Sequence, residues 1–258
     1  MKFNDNFLYS SIFVNRLQFL GVQHAVISPG SRNTPLIAAL HENTEIIKTI
    51  ILDERSAAFF ALGLAKTTKS PVLIVTTSGT AVAELYPAIV EAFQSRIPLI
   101  VCTADRPAEL LNCGENQAIN QDNIFINHIK SYYYFNNLRP SEDKLLNLIN
   151  TTTHCFNTAN LFNRGPVHIN FPFSKPLEPN SFNIEISDDI FISITKQIAE
   201  QNNVYEIPTE CIKAEITELI SELSTFNKGI FIIGGGKYSD NFYDALYLIA
   251  KKLGFLIY

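Results

Sequence analysis

Three short stretches place polar, reactive side chains where an apolar run gives way to a helical pattern. Residues 28–35 read SPGSRNTP, residues 52–65 read LDERSAAFFALGLA, and residues 76–81 read TTSGTA. Arg32 falls at the start of a helical pattern, where the partial positive charge of a helix N-terminus disfavours a cation by about 0.3–1 kcal/mol. A bound anion reverses that sign. Glu54 follows an apolar strand pattern and precedes a helix apolar enough to pack deep. A carboxyl desolvated there favours its protonated form, which can donate a hydrogen bond. Complementing the helix N-terminus, the plainer role for an acid, needs only Asp53.

These stretches are positioned by strands and helices in alternation. Phe7, Leu8, Ile12, Phe13, Leu17 and Leu20 fall at helical spacing, which predicts a helix over 5–20 ended by Gly21. Strand patterns follow at 24–28, 46–52, 72–77, 98–103, 131–135 and 167–171, with helices near 34–41, 54–68, 80–95 and 142–160. Strict alternation predicts an α/β fold: a doubly wound parallel sheet with helices on both faces. Several strands are apolar on both sides, as a sheet covered twice requires.

From about residue 172 the texture changes to FPFSKPLEPNSFNIEISDD, rich in Pro, Asn, Ser and acid. The expected organisation is a first domain over 1–180, a linker over 181–209, and the start of a second α/β domain over 210–258. That second pattern is a helix near 210–224, a strand over 229–233, a GGGK turn, a helix near 239–252 and a strand opening at 254. The sequence stops inside this strand, which reads as a truncated domain.

In open α/β sheets ligands sit beyond the carboxyl ends of the strands. Four polar clusters fall at such ends: 28–32, 53–55, 76–80 and 103–107. A fifth, GENQ at 114–117, lies in the loop after them. SPGSR lacks the glycine spacing of a nucleophile elbow. TTSGTA is equally a turn whose backbone approaches a flat ligand and a plain helix start capped by Thr77 or Ser78. GGGK completes neither a phosphate-binding loop nor a dinucleotide fingerprint.

Charged residues make up 17% of the 258, below the usual quarter, so partners are expected to cover part of the surface. The net charge of −5 and the scattered lysines and arginines argue against nucleic acid or an anionic membrane as partner. Cys102, Cys113, Cys155 and Cys211 show no paired spacing and read as reduced, buried thiols. With no leader-like or spanning apolar run, a soluble cytoplasmic protein is expected.

Taken in order, SPGSRNTP, LDERSAAFFALGLAK, TSGTAVAELYPA, TADRPAEL and CGENQAINQ resemble the pyrimidine-binding domain of thiamine-diphosphate-dependent enzymes. More narrowly they resemble a menaquinone-pathway branch acting on isochorismate and 2-oxoglutarate. The likeness covers about residues 5–175 and is mostly architectural beyond 181. It implies that Glu54 hydrogen-bonds N1′ of the cofactor's aminopyrimidine and moves a proton there, while the cofactor supplies the carbanion sink. Pro29, Gly30 and Thr80 would border the pyrimidine ring. Arg32 and Arg106 would fork the carboxylates of the two substrates, with Ser31, Asn116 and Gln117 contacting substrate or intermediate.

The family holds the diphosphate through Mg²⁺ on a separate domain marked by a Gly-Asp-Gly motif, which this sequence lacks. The resemblance therefore implies half a site, no metal ligand in this chain, and a homodimer or homotetramer whose second subunit completes it. Another 2-oxoacid-using member, of the decarboxylase or acetohydroxyacid synthase type, and a non-catalytic ligand-binding module remain as alternatives.

Overall fold

The computed structural model describes residues 2–111, 113–135, 140–161, 163–200, 209–234, 238 and 240–258. It divides into two compact units, Met1–Asn202 and Asn203–Tyr258. In the first, the elements in chain order are β1 (Lys2–Phe3), α1 (Asp5–Phe19), β2 (His24–Ile27), α2 (Thr34–Glu42), β3 (Ile47–Ile50), α3 (Glu54–Thr68) and β4 (Val72–Thr76). Then come α4 (Thr80–Glu84), α5 (Tyr86–Gln94), β5 (Leu99–Asp105), β6 (Tyr132–Tyr134), α6 (Glu142–Asn160), β7 (Val167–Pro172), β8 (Ile184–Glu185) and α7 (Asp188–Ala199).

Six strands form one parallel sheet in the order β3-β2-β4-β5-β7-β6. This is the doubly wound arrangement expected from the alternation. Successive side chains of a strand serve opposite faces. Accordingly Ile27, Leu73, Val75, Ile100 and Ile169 join one buried cluster with α1, α2 and α6, while Val26, Ile74, Leu99 and Val101 join another with α3 and α5. The strand order reverses between β2 and β4. Crevices for ligands open at such reversals, just past the strand ends.

Local sequence explains the helices that frame this crevice. Asp53 caps α3 by accepting from the Ser56 amide at 2.7 Å. The buried side of α3 is Ala57, Ala58, Ala61 and Ala65, small enough for the helix to lie close on the sheet. The helix expected over 80–95 is two helices meeting at Leu85. Pro87, in the first turn of α5, has no N–H to continue the ladder from α4.

Residues 181–200 form more than a connector. Strand β8 pairs antiparallel with β1, and α7 packs on α1 and α6. Ile186 and Ile194 are buried in the same cluster as α1. Buried asparagines at the start of α1 hold the intervening chain: Asn4 Nδ2 donates to the carbonyls of Pro176 and Ser181, and Asn6 Nδ2 to those of Ser174 and Pro176. The stretch 201–208 of the expected linker lies outside the described residues.

The second unit contains α8 (Thr209–Leu223), β9 (Ile230–Phe231), α9 (Asp240–Leu253) and β10 (Leu256–Ile257), with β9 and β10 parallel. Residues 235–237 of the GGGK motif lie outside the described residues, as does the side chain of Cys211. Cys102 and Cys155 are buried thiols as expected, but Cys113 is exposed. It sits in the loop after β5, where the flanking Leu110 and Leu111 are only half-buried.

Candidate functional site

The loop after β2 is shaped by its own side chains. Asn33 Oδ1 accepts from the Gly30 amide at 2.9 Å and its Nδ2 donates to the Ser28 carbonyl at 3.0 Å, closing a tight turn. Ser28 joins the turn to its neighbours, its amide bonded to the Val75 carbonyl and its hydroxyl to the Ile51 carbonyl, each at 2.9 Å. Gly30 is packed so close to Thr77 that a Cβ would come within 2.6 Å of it. The turns after β2 and β4 thus touch at the reversal of strand order, and only glycine fits.

On the next strand end Glu54 opens α3, half-buried. Asp53 does the capping, and among the described residues nothing hydrogen-bonds the Glu54 carboxyl. Ala57 and Ala58 are buried as a dry surround requires, but Phe59 and Phe60 are each 44% exposed. Ile50 and Leu52, just before the helix, are also exposed. The helix expected to pack deep after Glu54 therefore leaves its two phenylalanines partly in solvent in the single chain.

Arg32 and Arg106 are both buried, at 7% and 8% exposure. Arg32 donates from Nη1 to the Phe173 carbonyl at 2.7 Å. Arg106 donates from Nη1 to Ser78 Oγ and from Nη2 to the Asn116 carbonyl, leaving its buried Nε without a partner. Burial, then the nearby Arg106 cation, pull the pKa of Arg32 below the usual guanidinium range, partly offset by Glu115 and Asp105. Two cations sharing a desolvated space with an orphaned donor make a place for an anion.

Asn116 and Gln117 are exposed in the loop facing this pair. Gln117 Nε2 donates to the Ser78 carbonyl at 3.2 Å, and the Gln117 backbone crowds Gly79, whose φ is +85°. A Cβ on Gly79 would lie 2.7 Å from the Gln117 carbonyl oxygen. Neither Thr77 nor Ser78 caps α4; Gly79 holds the N-cap position without a side chain. Pro29, Ser31 and Thr80 are exposed on the rim. So Arg106 and Gln117 both bond Ser78, Asn116 accepts from Arg106, the Arg32 cation lies close enough to Arg106 to be repelled by it, and Glu54 stands on the neighbouring strand end.

Sequence reasoning missed the polar layer beneath. Asp105 accepts from the Arg106 amide and from Asn170 Nδ2, each at 2.7 Å, and burial pushes its pKa up. Asn170 in turn bonds Thr103, which bonds His168, all fully buried. The signal was present in VHINFP, where polar residues recur every second position in an otherwise apolar strand. A cavity of about 450 Å³ adjoins this layer, lined by Asp105, Glu115, Gln121, Asp122, Tyr132 and Asn170 among others. Its carboxylates make it a poor seat for a dicarboxylate.

Tight turns at Gly30 and Gly79, a glutamate whose carboxyl has no hydrogen bond among the described residues, and a buried arginine pair line the strand ends. Among the described residues no helix is long and apolar enough to cross a membrane, and no group of three His, Cys, Asp or Glu could hold a metal.

Residues 9–126 match the family profile of the thiamine pyrophosphate enzyme, N-terminal TPP binding domain. The 2-succinyl-5-enolpyruvyl-6-hydroxy-3-cyclohexene-1-carboxylate synthase of Oceanobacillus iheyensis is 41% identical over 247 residues, 95% of this chain and 41% of that protein. The synthase of the same name from Haloquadratum walsbyi is 44% identical over 187 residues, 72% of this chain and 30% of that protein. That of Listeria innocua is 37% identical over 255 residues, 96% of this chain and 42% of that protein. The chain spans at most about two-fifths of the length of these relatives. Residues 9–126 are thus an N-terminal TPP binding domain of the thiamine pyrophosphate enzyme family, in a chain homologous to part of these synthases.

Proposed function

We propose that this chain supplies the pyrimidine-binding half of the active site of a cytoplasmic synthase that decarboxylates 2-oxoglutarate and adds the resulting succinyl unit to isochorismate, in menaquinone biosynthesis. The observation that carries the reading is the buried pair Arg32 and Arg106 with an orphaned Nε, since both substrates carry carboxylates. Guanidinium forks suit carboxylates. Bound thiamine diphosphate supplies the carbanion sink for a 2-oxoacid.

Around it each residue has a task. Glu54 holds and moves a proton at N1′ of the aminopyrimidine, its carboxyl free because Asp53 caps the helix. Gly30, flanked by Pro29, and Thr80, following Gly79, offer a narrow backbone crevice for the ring. Arg32 and Arg106 orient the two acids, while Ser31, Asn116 and Gln117 contact substrate at the rim. The diphosphate and its Mg²⁺ are held by another part of the protein. The exposed Ile50, Leu52, Phe59 and Phe60 beside Glu54 favour a homodimer or homotetramer in which a second subunit closes the site.

The test is turnover of isochorismate with 2-oxoglutarate by the full-length protein, dependent on thiamine diphosphate and Mg²⁺. Calorimetric titration of the 258-residue chain with the cofactor accompanies it. Turnover by the full-length protein, with weak binding and no turnover by the shorter chain, is expected. Inactivity of the full-length protein with this substrate pair, or full activity of the 258-residue chain, overturns the reading.

A further inference from the structure

We propose that Gln121 is a positioning residue that locks the Thr76–Thr80 turn to strands β5 and β7 and thereby sets Gly79, Gln117 and Arg106 for substrate. Gln121 is 1% exposed and lies in the loop after β5, four residues beyond Gln117. Its side-chain oxygen accepts from the Gly79 amide at 2.9 Å. Its Nε2 donates to the Ala104 carbonyl at 3.0 Å and to Asn170 Oδ1 at 3.1 Å. One amide therefore ties together the turn after β4, the end of β5 and the end of β7.

Only an amide satisfies all three neighbours. On one side stands a donor, the Gly79 N–H, and on the other stand two acceptors, the Ala104 carbonyl and Asn170 Oδ1. Thr103 fixes the orientation of Asn170 by donating to the same Oδ1 at 2.7 Å, while Asn170 Nδ2 is committed to Asp105. Thr103 spends its single proton on Asn170, so it accepts from His168 Nε2 at 2.8 Å. The polarity of the chain is thus set from His168 to Gly79. Gly79 is where it meets the site, because the turn it anchors carries Ser78, which both Arg106 and Gln117 bond.

This inference rests on the proposed function, since the residues it positions are those assigned to substrate. Gln121→Glu is the sharp test. The variant keeps shape and one acceptor oxygen, but its second oxygen faces two acceptors unless it carries a proton. The titratable groups packed around the position are Asp105 and Arg106 at the end of β5, His168 on β7, Tyr132 and Tyr134 on β6, and Glu115 and Asp122 in its own loop. The carboxylates among them favour the protonated form further.

In the full-length enzyme, kcat/KM of Gln121→Glu is expected to fall about 10- to 100-fold at pH 8 and to recover toward wild type as the pH approaches 6. Gln121→Ala should be low at every pH. Hydrogen exchange at the Gly79 amide, followed by mass spectrometry, should accelerate at least tenfold in Gln121→Ala. A pH profile of Gln121→Glu parallel to wild type, or unaltered Gly79 exchange in Gln121→Ala, overturns the inference. If wild type itself fails to turn over, the functional reading falls, and the Gly79 exchange still decides whether Gln121 holds the turn.

Discussion

Arg32 reaches across the carboxyl ends of the sheet to donate from Nη1 to the main-chain carbonyl of Phe173, 2.7 Å away. That bond fixes one end of the guanidinium on the β7 exit and leaves the rest of its fork for a ligand. Lysine at this position keeps the charge but cannot hold both partners. Arg32→Lys in the full-length enzyme is expected to raise KM for one of the two acids about 10- to 100-fold, the loss of a charge-assisted hydrogen bond. Arg106→Lys should act on the other acid. Steady-state kinetics with each substrate varied in turn separates them, and wild-type constants for both variants would remove the carboxylate account.

Glu54→Gln keeps volume and hydrogen bonding but cannot move a proton. Exchange of the thiazolium C2 proton of bound cofactor should slow by about 10²–10⁴-fold while the fold is retained. Rapid-quench deuterium exchange read by NMR measures it. An unchanged rate would take Glu54 out of the mechanism.

Arg16 is fully buried between three helices. Its Nε donates to Thr153 Oγ1 at 2.9 Å, and its Nη1 to the carbonyls of Ile198 and Glu200 at 2.7 and 2.8 Å. It thus satisfies the free carbonyls at the end of α7 with a cation, the favourable sign there. Arg16→Met should destabilise the first unit by about 3 kcal/mol, the scale of losing charged hydrogen bonds. Urea denaturation and limited proteolysis after residue 186 report it, and an unaltered midpoint would show that α7 docks by its apolar face alone.

His168 is buried and neutral, and burial pushes its pKa down to about 3. Above the unfolded value near 6.5 both states are neutral there, so its contribution to stability is fully present. Below that, the unfolded chain takes up a proton the folded chain refuses. Stability is then lost as the pH falls from 6.5 toward 3, by up to about 1.4 kcal/mol per pH unit. Asp105, whose folded pKa is raised, opposes this at the acid end of the window. His168→Gln should flatten the loss between pH 6.5 and 4.5 in denaturation curves. A slope identical to wild type would assign acid sensitivity elsewhere.

The alternation of strand and helix was legible because the central strands β4, β5 and β7 are buried on both faces and the helices between the strands carry an apolar side. Arg32 and Glu54 could be singled out because each falls where a strand pattern gives way to a helical one, and both stand at strand ends in the folded chain. Strand β8 and α7 were not. Strand β8 is two residues long, its partner lies at the opposite end of the unit, and nothing local in a Pro- and Asn-rich stretch encodes such a pairing. Gln121 left no trace in the sequence, since its task depends on three segments that meet only in the folded chain.

The pairing of β1 with β8 also decides how the first unit carries load. The backbone arrives at residue 2 and departs at residue 185 side by side. Tension applied between these points is borne by a two-residue ladder, the paired side chains of Asp5 and Asn183, and the amides of Asn4 and Asn6, before it reaches the six-stranded sheet. Pulled there, the unit would unclasp like a buckle, leaving the crevice between β2 and β4 undistorted until the clasp had given way.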